Sequence, residues 1–473
     1  MNPLRSLSLL ASALTLAGCT SLGIEQAIQE VNTALPTFTS GQLSLQQGDD
    51  QRRAAQSLVA GLLAQTLGQA QAVQVALANS PAVQALLAQG AANLAQADQS
   101  GRIANPLFSF ERVRSGDELE LGRLLSFGLL ELLTLPQRQS IARGQAQQAR
   151  VQLGTDVVEK VSQVRQAWVR AVAAQQTLHY ARQVNQAAQA GAELARRMQQ
   201  VGNFTRLQRA REHVFYADSA AQLVSAQHAA TAAREELARQ LGLDDTQLAQ
   251  LKLPQRLPDV PTQPRTAPEV SAAAGAQRLD VQLARAQLDV AGRSQGLNLI
   301  NSLVDVEVGG RHDTVFDNQS GTRTNRNGYE IGIRLPIFDL GGAQRVAMNA
   351  RSLAAAHRYE GVVRGATSQL RESYSAYRSA HDLARHYLDE IVPLRKTMAQ
   401  ENLLRYNGML IGVFELLADT RDQIASVMAA IGAQQQFWLA DAALTASVVG
   451  RPMAAGLAPV STGASSAIQG PAH

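Results

Sequence analysis

The sequence has few of the residues that build an ordinary globular core. Of its 473 residues, one is Cys, 4% are aromatic and 17% are charged, against a usual charged fraction of ~25%. The single Cys excludes an intramolecular disulfide. Ala and Gln dominate instead, and a chain rich in Ala, Gln and Leu suits long helices that pack closely. The net charge of +4 is small for this length, and the sequence has no basic run, so it gives no support to nucleic acid binding.

A short apolar stretch, LSLLASALTLAGC, follows Arg5 and ends at Cys19. It is too short for a permanent membrane helix, and its basic start and small final residues are typical of a secretory signal peptide. Its last four residues are similar to a bacterial lipobox. We therefore expect a signal peptide over 1–18 and a lipidated N-terminal segment over 19–69 that begins with a diacylglycerol-modified Cys19. The alternative is an ordinary signal peptide with a chance Cys.

The rest of the chain contains one unit twice, at an offset of about 200 residues. Each repeat, 70–252 and 268–450, has a helical segment, two strand-like stretches, a long helix and a return helix. The Pro-rich segment 253–267 is the predicted linker. The tail 451–473 is rich in Ala, Gly, Ser and Pro, which predicts disorder.

The helices are predicted from apolar spacing and from missing prolines. Residues 137 to 253 contain no Pro, whereas Pro393 predicts a kink or a break in the second long helix. A helix of about 63 residues would be ~95 Å long at ~1.5 Å per residue, which implies an extended bundle or tube. Apolar side chains recur at steps of three and four at Val157, Val161, Val164, Trp168 and Val172, and again at Leu383, Tyr387, Ile391, Leu394 and Met398.

Four strand-like stretches, 107–113, 118–135, 304–311 and 328–335, alternate apolar and polar residues. Charges on the inner face and apolar groups on the outer face are typical of a water-filled membrane barrel. The alternative is a soluble two-hairpin domain with one wet face. Four strands cannot close a barrel, so several copies would each supply a share. The predicted lipid face comprises Phe108, Phe110, Val304, Val306, Val308, Tyr329, Ile331 and Ile333, and the predicted inner face Arg112, Asp305, Glu307, Arg311, Glu330 and Arg334.

Several stretches, taken in order, resemble the outer-membrane factor (TolC) family of export channels. They include LANSPAVQALLAQGAANLAQA (77–97) and IANPLFSF (103–110) in the first repeat, and RLDVQLARAQLDVA (278–291), LPIFDLGGAQ (335–344) and RYNGMLIGVFELLADTRDQI (405–424) in the second. The chain departs from the family at 136–139, where Pro-Gln-Arg-Gln stands in place of a frequent Gly-Gly.

The resemblance implies a mainly α fold with a transmembrane β-barrel contribution. A homotrimer would form a twelve-stranded barrel, four strands per chain, in outer membrane lipid, on a long α-helical periplasmic tunnel. The expected function is the exit duct of a tripartite efflux or export system that works with a periplasmic adaptor and an inner-membrane pump. The resemblance does not distinguish among drugs, metal cations and secreted proteins as the substrate. The competing hypothesis is a periplasmic coiled-coil scaffold lipoprotein without a pore.

The resemblance also implies two functional regions at the helix ends. In the family, acidic residues after the second helical turn narrow the periplasmic mouth, and GVFELLAD places Glu415 at the first such position with Asp419 near the second. A ring of carboxylates would select cations. The alternative is that Glu415 is a solvated surface charge. The tips, with Gly202, Asn203, Thr205, Gly408 and Gly412, would dock the adaptor, and their Gly residues would let the helices turn tightly.

No catalytic or metal-binding pattern emerges from the sequence. His381 and His386 stand five apart, which does not suit two ligands on one helical face, and we expect them to be exposed. The sequence has no Gly-rich phosphate loop, and its lone Cys is assigned to lipid. We therefore predict that the protein is not an enzyme, binds no metal, and carries no cofactor beyond the covalent lipid on Cys19.

Overall fold

The computed structural model describes residues 22–274, 278–301, 305–334, 337 and 341–452. The predicted signal peptide, Cys19, Val304 and nearly all of the predicted tail lie outside these residues. The helices are α1 (Leu22–Ala34), α2 (Pro36–Thr39), α3 (Asp49–Leu63), α4 (Gln69–Asn79), α5 (Pro81–Ser100), α6 (Leu129–Leu133), α7 (Leu135–Gln200), α8 (Arg206–Leu241), α9 (Asp245–Gln250), α10 (Ala267–Ala273), α11 (Leu279–Asn301), α12 (Gly342–His386), α13 (Val392–Asn407) and α14 (Val413–Val448). The strands are β1 (Leu107–Ser115), β2 (Glu118–Gly128), β3 (Asp305–Asp317) and β4 (Thr322–Arg334).

The order of these elements confirms the predicted repeat. A helix, two strands, a long helix and a return helix follow one another as α5-β1-β2-α7-α8 and again as α11-β3-β4-α12-α13-α14. The long helix α7 has 66 residues, and the return helices α8 and α14 have 36 each. None of the helices described is long and apolar enough to cross a membrane.

The second long helix is interrupted next to Pro393, as predicted. Helix α12 ends at His386, and a π-helical turn over Tyr387–Ile391 separates it from α13, which has Pro393 in its first turn. Pro lacks the backbone N–H and its ring clashes with the preceding turn, so a widened turn before it relieves the helix.

The predicted strand boundaries were wrong in both hairpins. We expected the second strand to run to residue 135, but β2 ends at Gly128, and the run Leu-Leu-Glu-Leu-Leu forms α6 instead. Leu and Glu favour helix over strand, and the Thr134 hydroxyl donates to the Leu130 carbonyl and satisfies the end of that helix. In the second hairpin, β3 extends to Asp317 and β4 begins at Thr322, because polar residues continue the pairing towards the turn.

The chain divides into two compact units, and each takes segments from both repeats. Among the described residues, one unit contains the four strands and comprises 22–27, 88–153 and 279–365. The other comprises 28–87, 154–278 and 366–452. In this second unit, Tyr377, Phe437 and Leu444 are fully buried among small residues such as Ala433, which let the helices approach closely.

The predicted linker is firmly packed in the second unit. Two side chains of α14, Gln434 and Trp438, donate to the carbonyl oxygen of Pro258 at 2.8 and 3.0 Å. Arg265 donates to Asp441 at 2.5 Å, and its backbone N–H donates to the Tyr377 hydroxyl at 3.2 Å. The Pro-rich sequence predicted the irregular backbone over this segment, but not these contacts.

Candidate functional site

The predicted lipid-facing residues lie on one face of the four-stranded antiparallel sheet. The strand order is β1-β2-β3-β4, and residues that pair across strands share a face. Val306 pairs with Ile333 and Val308 with Ile331, while Leu125 of β2 pairs with Phe108 of β1. Tyr329 is 84% exposed. Apart from Val304, the whole predicted set, Phe108, Phe110, Val306, Val308, Tyr329, Ile331 and Ile333, occupies this face, which we call the outer face.

The opposite, inner face carries the carboxylates of the sheet. Arg311 lies at its centre, with nitrogens 2.9 Å from Asp313, 3.4 Å from Glu111 and 4.0 Å from Glu120. Glu307 and Glu330 share this face, as predicted, and Asp305 pairs in register with Arg334. Arg112 was placed here wrongly. It is two residues from Phe110, so the alternation of a strand puts it on the outer face.

Two glycines lie at positions on the inner face where neighbouring atoms leave little room for a side chain. A Cβ atom at Gly309 would lie 2.8 Å from Leu124 Cδ1 and 3.2 Å from the Leu125 carbonyl oxygen. At Gly122 it would lie 3.2 Å from Asp313 Oδ1. A Cβ atom at either of these inner-face positions would therefore meet neighbouring atoms closely, whereas one at Gly310 on the outer face would meet nothing within 4 Å.

At the first helix tip the backbone turns through Gly202. Helix α7 ends at Gln200, and Gly202 has a φ of +82°, a conformation that favours glycine. The N–H of Asn203 donates to the Met198 carbonyl at 2.9 Å, and Thr205 caps α8 by accepting from the N–H of Gln208 at 3.2 Å.

The second tip turns at a different residue from the one expected. We expected Gly408 and Gly412 to allow the turn, but both have negative φ values, −80° and −83°. Met409 instead adopts the left-handed conformation with a φ of +59°. The N–H of Leu410 donates to the Arg405 carbonyl at 2.8 Å, which closes the end of α13.

Both tips expose large apolar side chains. Met409 is 93% exposed and Leu410 73%, and at the first tip Val201 and Leu207 are similarly exposed. Exposed apolar groups clustered on a short turn are typical of a surface that contacts another protein.

The two predicted constriction residues differ in exposure. Glu415 is exposed in the first turn of α14. Asp419, one turn further along, is 9% exposed, and its Oδ2 atom has no hydrogen-bond partner within the described structure. The Asp419 carboxylate therefore does not face solvent in this conformation, and Glu415 is the better candidate for a pore-lining charge.

An ion pair between α8 and α14 lies close to these tips, with a buried carboxylate and an Arg421 side chain that is 32% exposed. Arg421 donates to Glu212 Oε1 at 2.6 Å, and the Glu212 side chain is only 4% exposed. The Arg421 guanidinium also lies 4.5 Å from the centre of the Phe215 ring. Glu212 and Arg421 are 209 residues apart in sequence, so no local pattern could have predicted this contact.

A second charged group near the first tip is held in its ionised form. Arg196 and Arg197 donate hydrogen bonds to Glu193 at 2.8 Å, and these bonds lower the pKa of the Glu193 carboxyl to about 2. It therefore stays charged down to a pH at which an ordinary Glu carboxyl is already protonated.

The described residues offer no group of three or more His, Cys, Asp or Glu that could hold a metal ion. The expectation that both histidines are exposed was half wrong. His386 is exposed and faces Glu390 at 3.0 Å, but His381 is 3% exposed, with its Nε2 atom 2.9 Å from the Pro261 carbonyl. His381 packs against Phe437, with ring centres 5.7 Å apart, as a satisfied core residue.

Solved structures of outer-membrane channels have folds similar to this one. The channel OprN matches with a TM-score of 0.67 at 18% identity, over 81% of this chain and 90% of that one. VceC of Vibrio cholerae matches at 0.66 and 15%, over 84% and 96%, and the open state of MtrE of Neisseria gonorrhoeae at 0.65 and 17%, over 84% and 89%. The chain has the outer-membrane factor fold. No protein-family model and no curated protein sequence matches it.

The Glu212–Arg421 pair links α8 to α14 and is therefore expected to stabilise the packing of these two helices. Arg421→Ala leaves Glu212 buried without its partner, so we expect a loss of about 3–5 kcal/mol in the free energy of unfolding. Replacing both residues by Leu should cost less, because no charge is left uncompensated. Urea denaturation followed by circular dichroism measures both effects.

Arg395→Ala is the matched control for Arg421→Ala. Arg395 pairs with Asp422 at 3.2 Å, but the Asp422 side chain is 62% exposed, so the loss should stay below about 1 kcal/mol. Equal losses in the two single variants would show that the Glu212–Arg421 pair does not stabilise the packing of α8 against α14.

Proposed function

We propose that the protein is the outer-membrane channel of a tripartite efflux or export system. The observation that carries this proposal is the two-faced sheet, with an apolar band on the outer face and all its strand carboxylates on the inner face, on a chain that has the fold of outer-membrane channels. A polar interior with an apolar exterior suits a water-filled barrel in lipid and does not suit a soluble hairpin domain.

The open edges of the sheet support assembly into a homotrimer. Strands β1 and β4 are at the two edges and have no further strand partner among the described residues. In lipid every backbone N–H and carbonyl needs a partner, so β1 of one copy would pair with β4 of the next. Three copies of four strands would give the expected twelve-stranded barrel.

The helix tips are the proposed docking surface for a periplasmic adaptor, which would link the channel to an inner-membrane pump. Their exposed apolar side chains, Met409 and Leu410 above all, would be covered on docking. Nothing in the chain selects among drugs, metal cations and proteins as cargo, because the choice of substrate belongs to the pump.

A channel should conduct ions in a planar bilayer, and Glu415 should influence which ions pass. In the trimer, three Glu415 carboxylates would crowd around one axis and favour cations. Glu415→Ala should therefore reduce cation preference and block by divalent cations, and Glu415→Lys should turn the mouth towards anions. Reversal potentials in asymmetric salt measure the selectivity.

The matched control is Glu236→Ala on α8, where the carboxylate is paired with Arg239 at 2.5 Å. This variant should keep the selectivity of the wild type. Unchanged selectivity in both Glu415 variants would remove Glu415 from the pore. A wild type without any conductance would favour the competing scaffold lipoprotein.

The proposed lipid anchor is Cys19, which would hold the mature N-terminus in the outer membrane. Cys19→Ala should abolish labelling with radioactive palmitate and leave the precursor uncleaved, since the thiol is the acceptor. Thr20→Ala is the control and should be labelled normally. Palmitate that still labels the Cys19→Ala protein would contradict the lipobox assignment.

A further inference from the structure

The outer face of the sheet changes its chemistry halfway along the strands. At the end where the helices join, it is apolar up to the row that contains Phe108, Leu125 and Tyr329. From the next row to the hairpin turns it carries four arginines. In paired rows these residues are Phe110-Arg123-His312-Asn327, then Arg112-Leu121-Thr314-Asn325, then Arg114-Leu119-Phe316-Arg323.

The charges of the two faces are segregated. Within the described strands, the register places every Asp and Glu on the inner face, where Arg311 has three carboxylate neighbours. The outer face has Arg112, Arg114, Arg123 and Arg323 and no acidic residue at the described strand positions. We call these four residues the basic rim.

The basic rim has no counterion within the described part of the chain. No salt bridge joins any of its four arginines to a carboxylate there. Arg112, Arg114 and Arg323 are exposed, and Arg123 is half-buried. The one cation–π contact of the rim places the Arg323 guanidinium 5.5 Å from the centre of the Phe316 ring. Four arginines on one face without a carboxylate partner form a cluster of positive charge that an anion from outside the protein would neutralise.

The position of the rim identifies the kind of anion. Arg123 is two residues, or ~7 Å, beyond Leu125 of the apolar band along β2. The hairpin turns at 116–117 and 318–321 lie at the end of the sheet opposite the helices. In the proposed channel the helices extend into the periplasm, so the turns and the rim lie at the external leaflet, at the level of lipid headgroups.

We propose that the basic rim binds the phosphate groups of lipopolysaccharide in the external leaflet. This inference rests on the proposed function, because it needs the sheet in the outer membrane. Guanidinium groups bind phosphate oxygens with two parallel hydrogen bonds, and Arg suits this role better than Lys. In the trimer, Arg114 lies on edge strand β1 and Arg323 on edge strand β4, so both would be close to a neighbouring copy.

The test uses the full-length protein, purified in detergent with its quaternary state checked. Arg112, Arg114, Arg123 and Arg323 are all changed to Gln, and binding of added lipopolysaccharide is measured by native mass spectrometry. We expect the quadruple variant to retain at least tenfold less lipopolysaccharide than the wild type. Dephosphorylated lipopolysaccharide should bind the wild type as weakly as intact lipopolysaccharide binds the variant.

Two single-substitution variants test the proposal even if the quadruple variant fails to assemble. Arg323→Gln removes an outer-face charge, whereas Arg326→Gln removes an exposed inner-face charge three residues further along β4. Only Arg323→Gln should weaken binding. Equal binding by these two variants, or equal binding of intact and dephosphorylated lipopolysaccharide, would overturn the proposal.

Two further measurements separate the alternatives. If phosphatidylglycerol vesicles compete as well as lipopolysaccharide, the rim is a general anionic-lipid site and the assignment to lipopolysaccharide is wrong. Conductance in phosphatidylcholine bilayers, where no lipopolysaccharide is present, should be the same for wild type and quadruple variant. A wild type that fails to conduct would count against the channel, while the phosphate dependence of binding would still be read from the mass spectra.

Discussion

Backbone hydrogen bonding at the edges of the four-stranded sheet constrains everything else in this protein. A sheet with two open edges and an apolar outer face is unstable in water and cannot stand alone in lipid. In the proposed trimer, pairing β1 with β4 of another copy would satisfy both edges at once. The charged inner face of that trimer would then enclose water.

Charge is distributed along the molecule in a way that suits this arrangement. The inner face holds its arginine among carboxylates, the outer face holds arginines without carboxylates, and the helical unit buries Glu212 against Arg421 near the tips. An ion pair with a buried carboxylate between α8 and α14 restricts how far these two helices can separate. The exposed apolar residues of the tips are then the part of that unit that is free to meet a partner.

The helices and strands of this fold could be predicted from the sequence because they depend on the local spacing of apolar residues. Alternation predicted the faces of Val306, Ile331 and Ile333, and Pro393 predicted the interruption of the second long helix. The long-range contacts could not be predicted, because residues such as Glu212 and Arg421 have no sequence relation to each other. Local reasoning also failed where two signals conflicted. The leucine run at 129–133 follows a strand directly but forms a helix. At the second tip, Met409 adopts the left-handed conformation that we had expected of the neighbouring glycines.

The central claim is that β4 has one face in lipid and one in water, and cysteine labelling tests it most directly. Single cysteines at 329, 331 and 333, in a Cys19-free background reconstituted in vesicles, should react with a lipid-soluble maleimide and resist a membrane-impermeant one. Cysteines at 328, 330 and 332 should show the opposite pattern, because their side chains line the aqueous interior. Equal reaction of all six positions with the impermeant reagent would contradict the account, since both faces of β4 would then be in water.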